Sequence, residues 1–171
     1  NNVQGAYLAA RHLIRTCKTQ PGYLHSAYPI SNFAERSSGF YKAVRAAGMS
    51  SSRSIVHKLT PSMEGAYADM MELIKNGEEL APCYFADNDL IAVGAIKALK
   101  EADTGPQDIG IVGFDNLPLG SVIEPALTTI HVPKQYMGEA AAQKLIDLLH
   151  TPGQPPTKTE VSTMLVKRGT V

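Results

Sequence analysis

The side chains of this chain that could do chemistry gather in three short polar clusters, each following an apolar stretch. They are Ser31-Asn32-Phe33-Ala34-Glu35-Arg36, Asp87-Asn88-Asp89 and Phe114-Asp115-Asn116. Together they offer a guanidinium fork, amides, carboxylates and aromatic rings. A carboxylate accepts two hydrogen bonds from vicinal hydroxyls, a guanidinium donates to two oxygens, and an amide does both. Aromatic faces cover the C–H surface of a ring. The set suits non-covalent capture of a polyhydroxylated molecule, each charge-assisted hydrogen bond contributing roughly 1.5–3 kcal/mol. Every member also has a plainer reading. Asn32 reads as a helix cap completed by Glu35, and Asp87 or Asn88 as another cap. Asp89 reads as a first-turn charge favouring the helix dipole, Arg36 as a solvated helix charge, and Asp115 as a turn residue.

Catalysis leaves no comparable signature. The chain has no GxSxG elbow, P-loop, GxGxxG or HExxH. Its histidines (His12, His25, His57, His131, His150) are scattered without metal-ligand spacing. His12 and His150 are expected on solvated helix faces, and His57 on a strand at the sheet surface. An enzyme using Asp89, Asp115 or Glu124 as acid or base would need two carboxylates at a defined separation, or a nucleophile beside a base, and the sequence shows neither. The expectation is a binding domain, not an enzyme, with no metal and no cofactor.

The elements that must position these clusters follow from periodicity. Val3, Ala6, Tyr7, Ala10, Leu13 and Ile14 share one helical face, predicting a helix over 2–16. A strand over 22–26 follows, then a helix from Asn32 whose buried side is Phe33, Phe40, Ala43, Val44 and Ala47, stopped at Gly48. A strand at 54–59 leads to Thr60-Pro61, read as a cap with proline in the first turn, and a helix reaching Asn76-Gly77. A strand at 82–86, a helix at 88–101 and a strand at 108–113 continue the alternation. Residues 127–132 are extended, Pro133 opens a helix striped by Tyr136, Met137, Ala140, Ala141, Leu145 and Leu148, a proline-rich loop starts at Thr151, and 161–167 is a last extended segment. This βαβ order implies a three-layer α/β/α parallel sheet whose near-continuously apolar strands are buried on both faces. In such sheets ligands bind beyond the carboxyl ends of the strands, where the three clusters fall.

Bulk properties agree. A chain of 171 residues, 44% hydrophobic and 19% charged, suits one globular domain. Sixteen basic and sixteen acidic side chains give no electrostatic footprint for nucleic acid or an anionic membrane. Cys17 and Cys83 form no CxxC and read as small buried hydrophobes, which leans towards a reducing compartment. No signal-peptide pattern and no apolar run of about 18 residues is present.

The stretch from Phe85 to Pro133 resembles the lac repressor (LacI/GalR) family of transcription regulators. The likeness rests on residues 85–95 (FADNDLIAVGA), 106–116 (PQDIGIVGFDN) and 125–133 (PALTTIHVP), with Glu35-Arg36-x-x-Gly39-Phe40, Gly138-Glu139-Ala140-Ala141 and 165–170 (LVKRGT). It implies a periplasmic-binding-protein-like (type I) C-terminal subdomain made of 1–132 and 158–171, with 133–150 as a crossover helix normally packed on an N-terminal subdomain. It also implies Arg36 reaching an effector, Asn88 at an effector-binding polar position, Asp115 gripping sugar hydroxyls and, loosely, Thr60 on the pocket wall. The expected partners are a small effector, most readily a carbohydrate, and a second copy of the chain. That copy would meet the starts of the helices at 62–76 and 90–100 and the 117–123 loop. The expected setting is cytoplasmic, with DNA bound only through a helix-turn-helix outside these residues. Without its subdomain, the 134–149 stripe is expected to fold back, swap, or dock on another copy. A periplasmic sugar-binding protein of a transporter shares the fold and is the alternative. The 125–133 segment and the Lys167-Arg168-Gly169-Thr170 ending speak against it.

Overall fold

A computed structural model describes residues 1–102, 109–151 and 153–171. Helix α1 (Asn2–Cys17) precedes β1 (Gly22–Ser26), α2 (Ser31–Ala46), β2 (Val56–Leu59), α3 (Met63–Lys75), β3 (Cys83–Ala86) and α4 (Asp89–Glu101). Then come β4 (Gly110–Asp115), a single turn α5 (Leu119–Val122), β5 (Thr128–His131), α6 (Lys134–His150) and β6 (Met164–Val166). The sheet order is β2-β1-β3-β4-β5-β6. All neighbours run parallel except β6, which returns antiparallel to β5.

Alternation along the strands divides the core into two layers. Tyr23, Cys83, Phe85, Val112, Phe114 and Ile130 face α1 and α2, packing with Ala6, Ala10, Leu13, Phe40 and Val44. Leu24, Leu59, Tyr84, Ala86 and Ile111 face α3 and α4, packing with Ala66, Met70, Ile91, Ala95 and Leu99. Each helix pair meets at a glycine. A Cβ on Gly39 would run into the Val3 carbonyl oxygen and come within 3.0 Å of the Ala6 Cβ. One on Gly94 would run into the Met63 carbonyl oxygen and come within 2.9 Å of the Ala66 Cβ.

The three-layer expectation holds, with local corrections. Asn32 does not cap α2: the helix starts a residue earlier, at Ser31, with Ile30 in the cap position and no side-chain cap bond. Thr60 does not cap α3 either, because Ser62 does, its hydroxyl accepting from the Gly65 N–H. Ala47 lies beyond α2 and is exposed. His57 is buried, and its Nε2 lies 3.2 Å from the Glu79 carbonyl. His12 is partly buried, its Nε2 without a partner among the described residues, and its pKa is lowered, chiefly by burial. The expected 108–113 strand runs Gly110–Asp115 instead, carrying Phe114 and Asp115 inside the sheet; Asp108 and Pro152 lie outside the described residues. The cysteines are free, Cys17 neighbouring Cys83, whose thiol pKa is pushed up by burial and then by Cys17.

Helix α6 has no buried residue and has not folded back on the sheet. Tyr136, Met137, Leu145, Ile146, Leu148 and Leu149 are all exposed. Among the described residues no helix is long and apolar enough to cross a membrane.

Candidate functional site

Strand order decides where the polar clusters meet. From β1 the chain moves outward to β2, then returns to place β3 on the other side of β1. The crevice beyond the carboxyl ends of β1 and β3 is therefore a topological switch point, the place where open parallel sheets receive ligands. Asp87, the first residue after β3, occupies it and is fully buried. One carboxylate oxygen accepts from the Tyr23 hydroxyl, and the other lies 2.7 Å from both the Ser26 N–H and His25 Nδ1. The carboxylate thus ties the tip of β1 to the tip of β3.

Arg36 comes from the second turn of α2 and is buried, not solvated. Its Nη1 donates to the Asp87 carbonyl, its Nε to Asn2 Oδ1 at 3.0 Å, and its Nη2 to Asp115 Oδ1 at 3.3 Å. The guanidinium carbon lies 3.8 Å from the centre of the Phe114 ring and 5.5 Å from that of Phe33. Two aromatic faces and three acceptors fix the fork in one orientation. Burial lowers the Arg36 pKa, opposed chiefly by Asp115 and Asp87.

Asp115 ends β4 with φ of 106°, and Asn116 follows at φ 52°. Two consecutive non-glycine residues in this region are unusual and store strain, as functional sites often do. The turn is held from behind. Asn116 Oδ1 accepts from Arg168 at 2.7 Å, and its Nδ2 lies 3.1 Å from His131 Nδ1. Lys134, at the start of α6, donates to the Asp115 carbonyl. Burial raises the Asp115 pKa, and Arg36, then Lys134, oppose the rise. The Asp115 side chain still keeps 26% exposure, so it is reachable.

Asn88 is the N-cap of α4. Its Oδ1 accepts from the Ile91 N–H at 2.8 Å, and no hydrogen bond among the described residues engages its amide nitrogen. Asp89 does more than complement the dipole. It is fully buried, with Oδ1 accepting from the Thr129 hydroxyl at 2.5 Å and Oδ2 from the Leu117 N–H at 2.7 Å. A Cβ on Gly113 would collide with its Oδ1. Thr60 follows β2 on the same sheet edge but outside the cluster, its N–H donating to Asp69 at 2.6 Å. The structure thus brings together Arg36 and Asp115 over the Asp87 carbonyl, places Asn88 next to Asp87 in the chain as the cap of α4, and leaves Thr60 apart. Tyr23, His25, Asn2 and Lys134 were not legible as site residues, because only strand order and the α1–α2 packing bring them in. Among the described residues no three His, Cys, Asp or Glu side chains are grouped to hold a metal.

Asp89 carries a pH prediction. Burial lifts its carboxyl to about 6, against the opposing pull of the Thr129 and Leu117 donors. A carboxyl raised in the folded state holds its proton longer than in the unfolded chain. Its ionisation therefore costs stability as pH rises from about 4 through 6, in total of order 2–3 kcal/mol. The destabilisation caused by Asp89→Asn is expected to be larger at pH 4.5 than at pH 7.5 by about 2 kcal/mol. Urea titrations of both proteins at the two pH values check this; a pH-independent difference contradicts it.

Comparisons with known proteins agree with this fold. The family pattern of the periplasmic binding protein-like domain matches residues 10–171. The HTH-type transcriptional regulator GalS of Salmonella typhimurium is 34% identical over 144 residues, covering 84% of this chain and 42% of its own length. The HTH-type transcriptional repressor PurR of Klebsiella pneumoniae is 33% identical over 172 residues, covering all of this chain and 50% of its own length. The chain thus spans about half the length of the curated relatives it matches. A solved LacI family transcriptional regulator from Enterococcus faecium, with bound ribose, superposes with a TM-score of 0.87 at 29% identity, over 99% of this chain and 62% of that one. Given a match over nearly its whole length and a sheet that superposes so closely, this chain belongs to the periplasmic binding protein-like domain family, in the form carried by LacI/GalR-type transcriptional regulators.

Proposed function

We propose that this chain forms one wall of the effector site of a DNA-binding transcriptional regulator, and that the effector is a small hydroxyl-rich molecule, a sugar or a near relative. The observation that carries the reading is the Arg36–Asp115 pair, immobilised at the carboxyl edge of the sheet yet open on the Asp115 side. Arg36 and Asp115 bind ring hydroxyls, and the Asn88 amide donates a further hydrogen bond; Thr60, set apart on the outer strand, does not touch the effector. Nothing in this arrangement needs a cofactor or a nucleophile. The ribose bound to the Enterococcus faecium relative supports the ligand class.

Residues 1–132 and 158–171 then make one lobe, and α6 (133–150 with its leading Pro133) packs on a second. The effector shifts an open–closed equilibrium by its differential affinity for the two arrangements, and closure repositions the DNA-binding heads of a homodimer. A groove of about 310 Å³, its apolar floor of Met63, Val93, Ile96, Leu119 and Ile123 rimmed by Lys97, Lys100, Glu101 and Glu124, supports a dimer contact on the expected face. Acting on DNA through a separate domain, the regulator works in the cytoplasm and needs no membrane.

The test is a thermal-shift screen of the intact protein against ribose, other free sugars and nucleobases. Asp115→Asn keeps the shape of the side chain and removes its charge. It is expected to weaken the hit compound by about 1.5–3 kcal/mol, tenfold or more. Arg36→Ala is expected to abolish the shift. An unchanged shift in both variants removes the site.

A further inference from the structure

Cys17 is the last residue of α1 and Cys83 the first of β3. Both are free thiols, and neither belongs to the effector site. Strand pairing brings them together. Cys83 is paired with Gly110, the first residue of β4, across the parallel ladder. Residues paired in this way point to the same face, and neighbouring strands lie about 4.8 Å apart. Cys83 and Phe85 face α1, whereas Tyr84 between them faces the other layer. A Cβ on Gly110 would therefore also point towards α1, and it would lie 3.7 Å from the Cys17 Sγ. The Cys17 sulfur thus sits over the β3–β4 pair, beside the Cys83 side chain. The bare Gly110 backbone leaves the space between helix and sheet to the two sulfurs.

The two thiols differ in exposure. Cys17 is partly exposed at the end of its helix, whereas Cys83 is fully buried. Burial, and then Cys17 as a nearby charge and hydrogen-bond partner, keep the Cys83 thiol protonated. An oxidant in solution therefore meets Cys17 first, and Cys83 is reached only from Cys17.

We propose that Cys17 and Cys83 form a redox-sensitive modification site, which a hydroperoxide converts to an intramolecular disulfide that clamps α1 to the sheet. In the first step the Cys17 sulfur attacks the O–O bond. A sulfenic acid forms, and water leaves (an alcohol, where the hydroperoxide is organic). In the second step the Cys83 sulfur attacks the sulfenic sulfur. The S–S bond forms, the S–O bond breaks, and the hydroxyl leaves with the Cys83 proton as water. The thiols together lose two electrons, which the hydroperoxide takes up. A dithiol reductant reverses the change by exchange. The bond closes a loop of about 65 residues that holds β1, α2, β2 and α3, and so restricts the unfolded chain. Reversible disulfides of this sensing kind are the ones that suit a reducing compartment.

Peptide mapping of the intact protein tests this. The protein is treated with a small excess of hydrogen peroxide, blocked with iodoacetamide and digested with trypsin without reduction. The peptide Thr16-Cys17-Lys18 is expected to be joined to the peptide spanning 76–97, which holds Cys83, in most of the chains. Dithiothreitol should release both. The oxidised protein should melt about 5–10 °C above the reduced one, and Cys17→Ser should lose this gain. In Cys83→Ala the sulfenic acid has no partner, so dimedone should label Cys17. Cys17 carried on to the sulfinic acid beside a free Cys83, a Cys17–Cys17 link between two chains, or two untouched thiols overturns the inference. So does a joined pair that forms only in urea, or one that leaves the melting midpoint where it was. The map of the parent protein decides the pairing without either variant.

Discussion

Asp87→Ala is expected to lower the unfolding free energy by about 3–5 kcal/mol, with no change in the fold of what remains. The substitution leaves the buried Tyr23 hydroxyl and Ser26 N–H, and the partly buried His25 ring N–H, without an acceptor at the strand tips. Each buried donor so orphaned costs about 1–3 kcal/mol. The Arg36 guanidinium loses the nearby charge that opposes its burial, although its bond to the Asp87 carbonyl survives. Asp87→Asn keeps the volume but puts an amide nitrogen against one of these donors, and should cost roughly 1–3 kcal/mol. The chain has no tryptophan, so urea unfolding followed by far-UV dichroism or tyrosine emission measures both. The midpoint should fall with an unaltered slope. A loss under about 1 kcal/mol for the alanine variant means that the carboxylate is not what joins the strand tips.

Gly39→Ala should cost about 1–3 kcal/mol, against the direction helix propensity predicts. In a solvated helix the exchange gains about 1 kcal/mol. Here the added methyl meets the Val3 carbonyl, which is backbone of α1 and cannot rotate aside. The two helices must separate, opening the Ala6–Phe40–Val44 layer. Gly138, in α6, has open space where a methyl would go, with nothing within 4 Å. Gly138→Ala therefore provides the control: it meets no neighbour, and because α6 packs on no part of the sheet it should leave the melting midpoint unchanged while raising the helical dichroism signal. Thermal melts of the two variants beside the parent read the sign directly. A neutral or stabilising Gly39→Ala means that the α1–α2 contact is looser than described.

Periodicity carried most of the architecture. The alternating strands and the helical stripes of α1, α3 and α4 were legible because burial on one face imposes a fixed spacing on apolar residues. Helix starts were not. Asn32 and Thr60 have the right chemistry for caps, yet Ile30 and Ser62 occupy those positions, because tertiary packing sets where the first turn begins. Arg36 and Asp115 could be picked out through family likeness, whereas side-chain chemistry alone left each open. Asp87 looked like a cap. Its role as an acceptor for three donors depends on β1 lying beside β3, a pairing across 61 residues or more that no local pattern encodes. His25 went unnoticed for the same reason.

Helix α6 has no buried residue, and its 17 residues are only a little longer than the length of about 12–15 below which a lone helix in water is marginal. The cooperative folding unit of these residues is therefore smaller than their secondary structure: the sheet and its four flanking helices melt together, and α6 does not share in that transition. Its order is conditional on whatever covers it, which makes it a joint whose stiffness is set from outside.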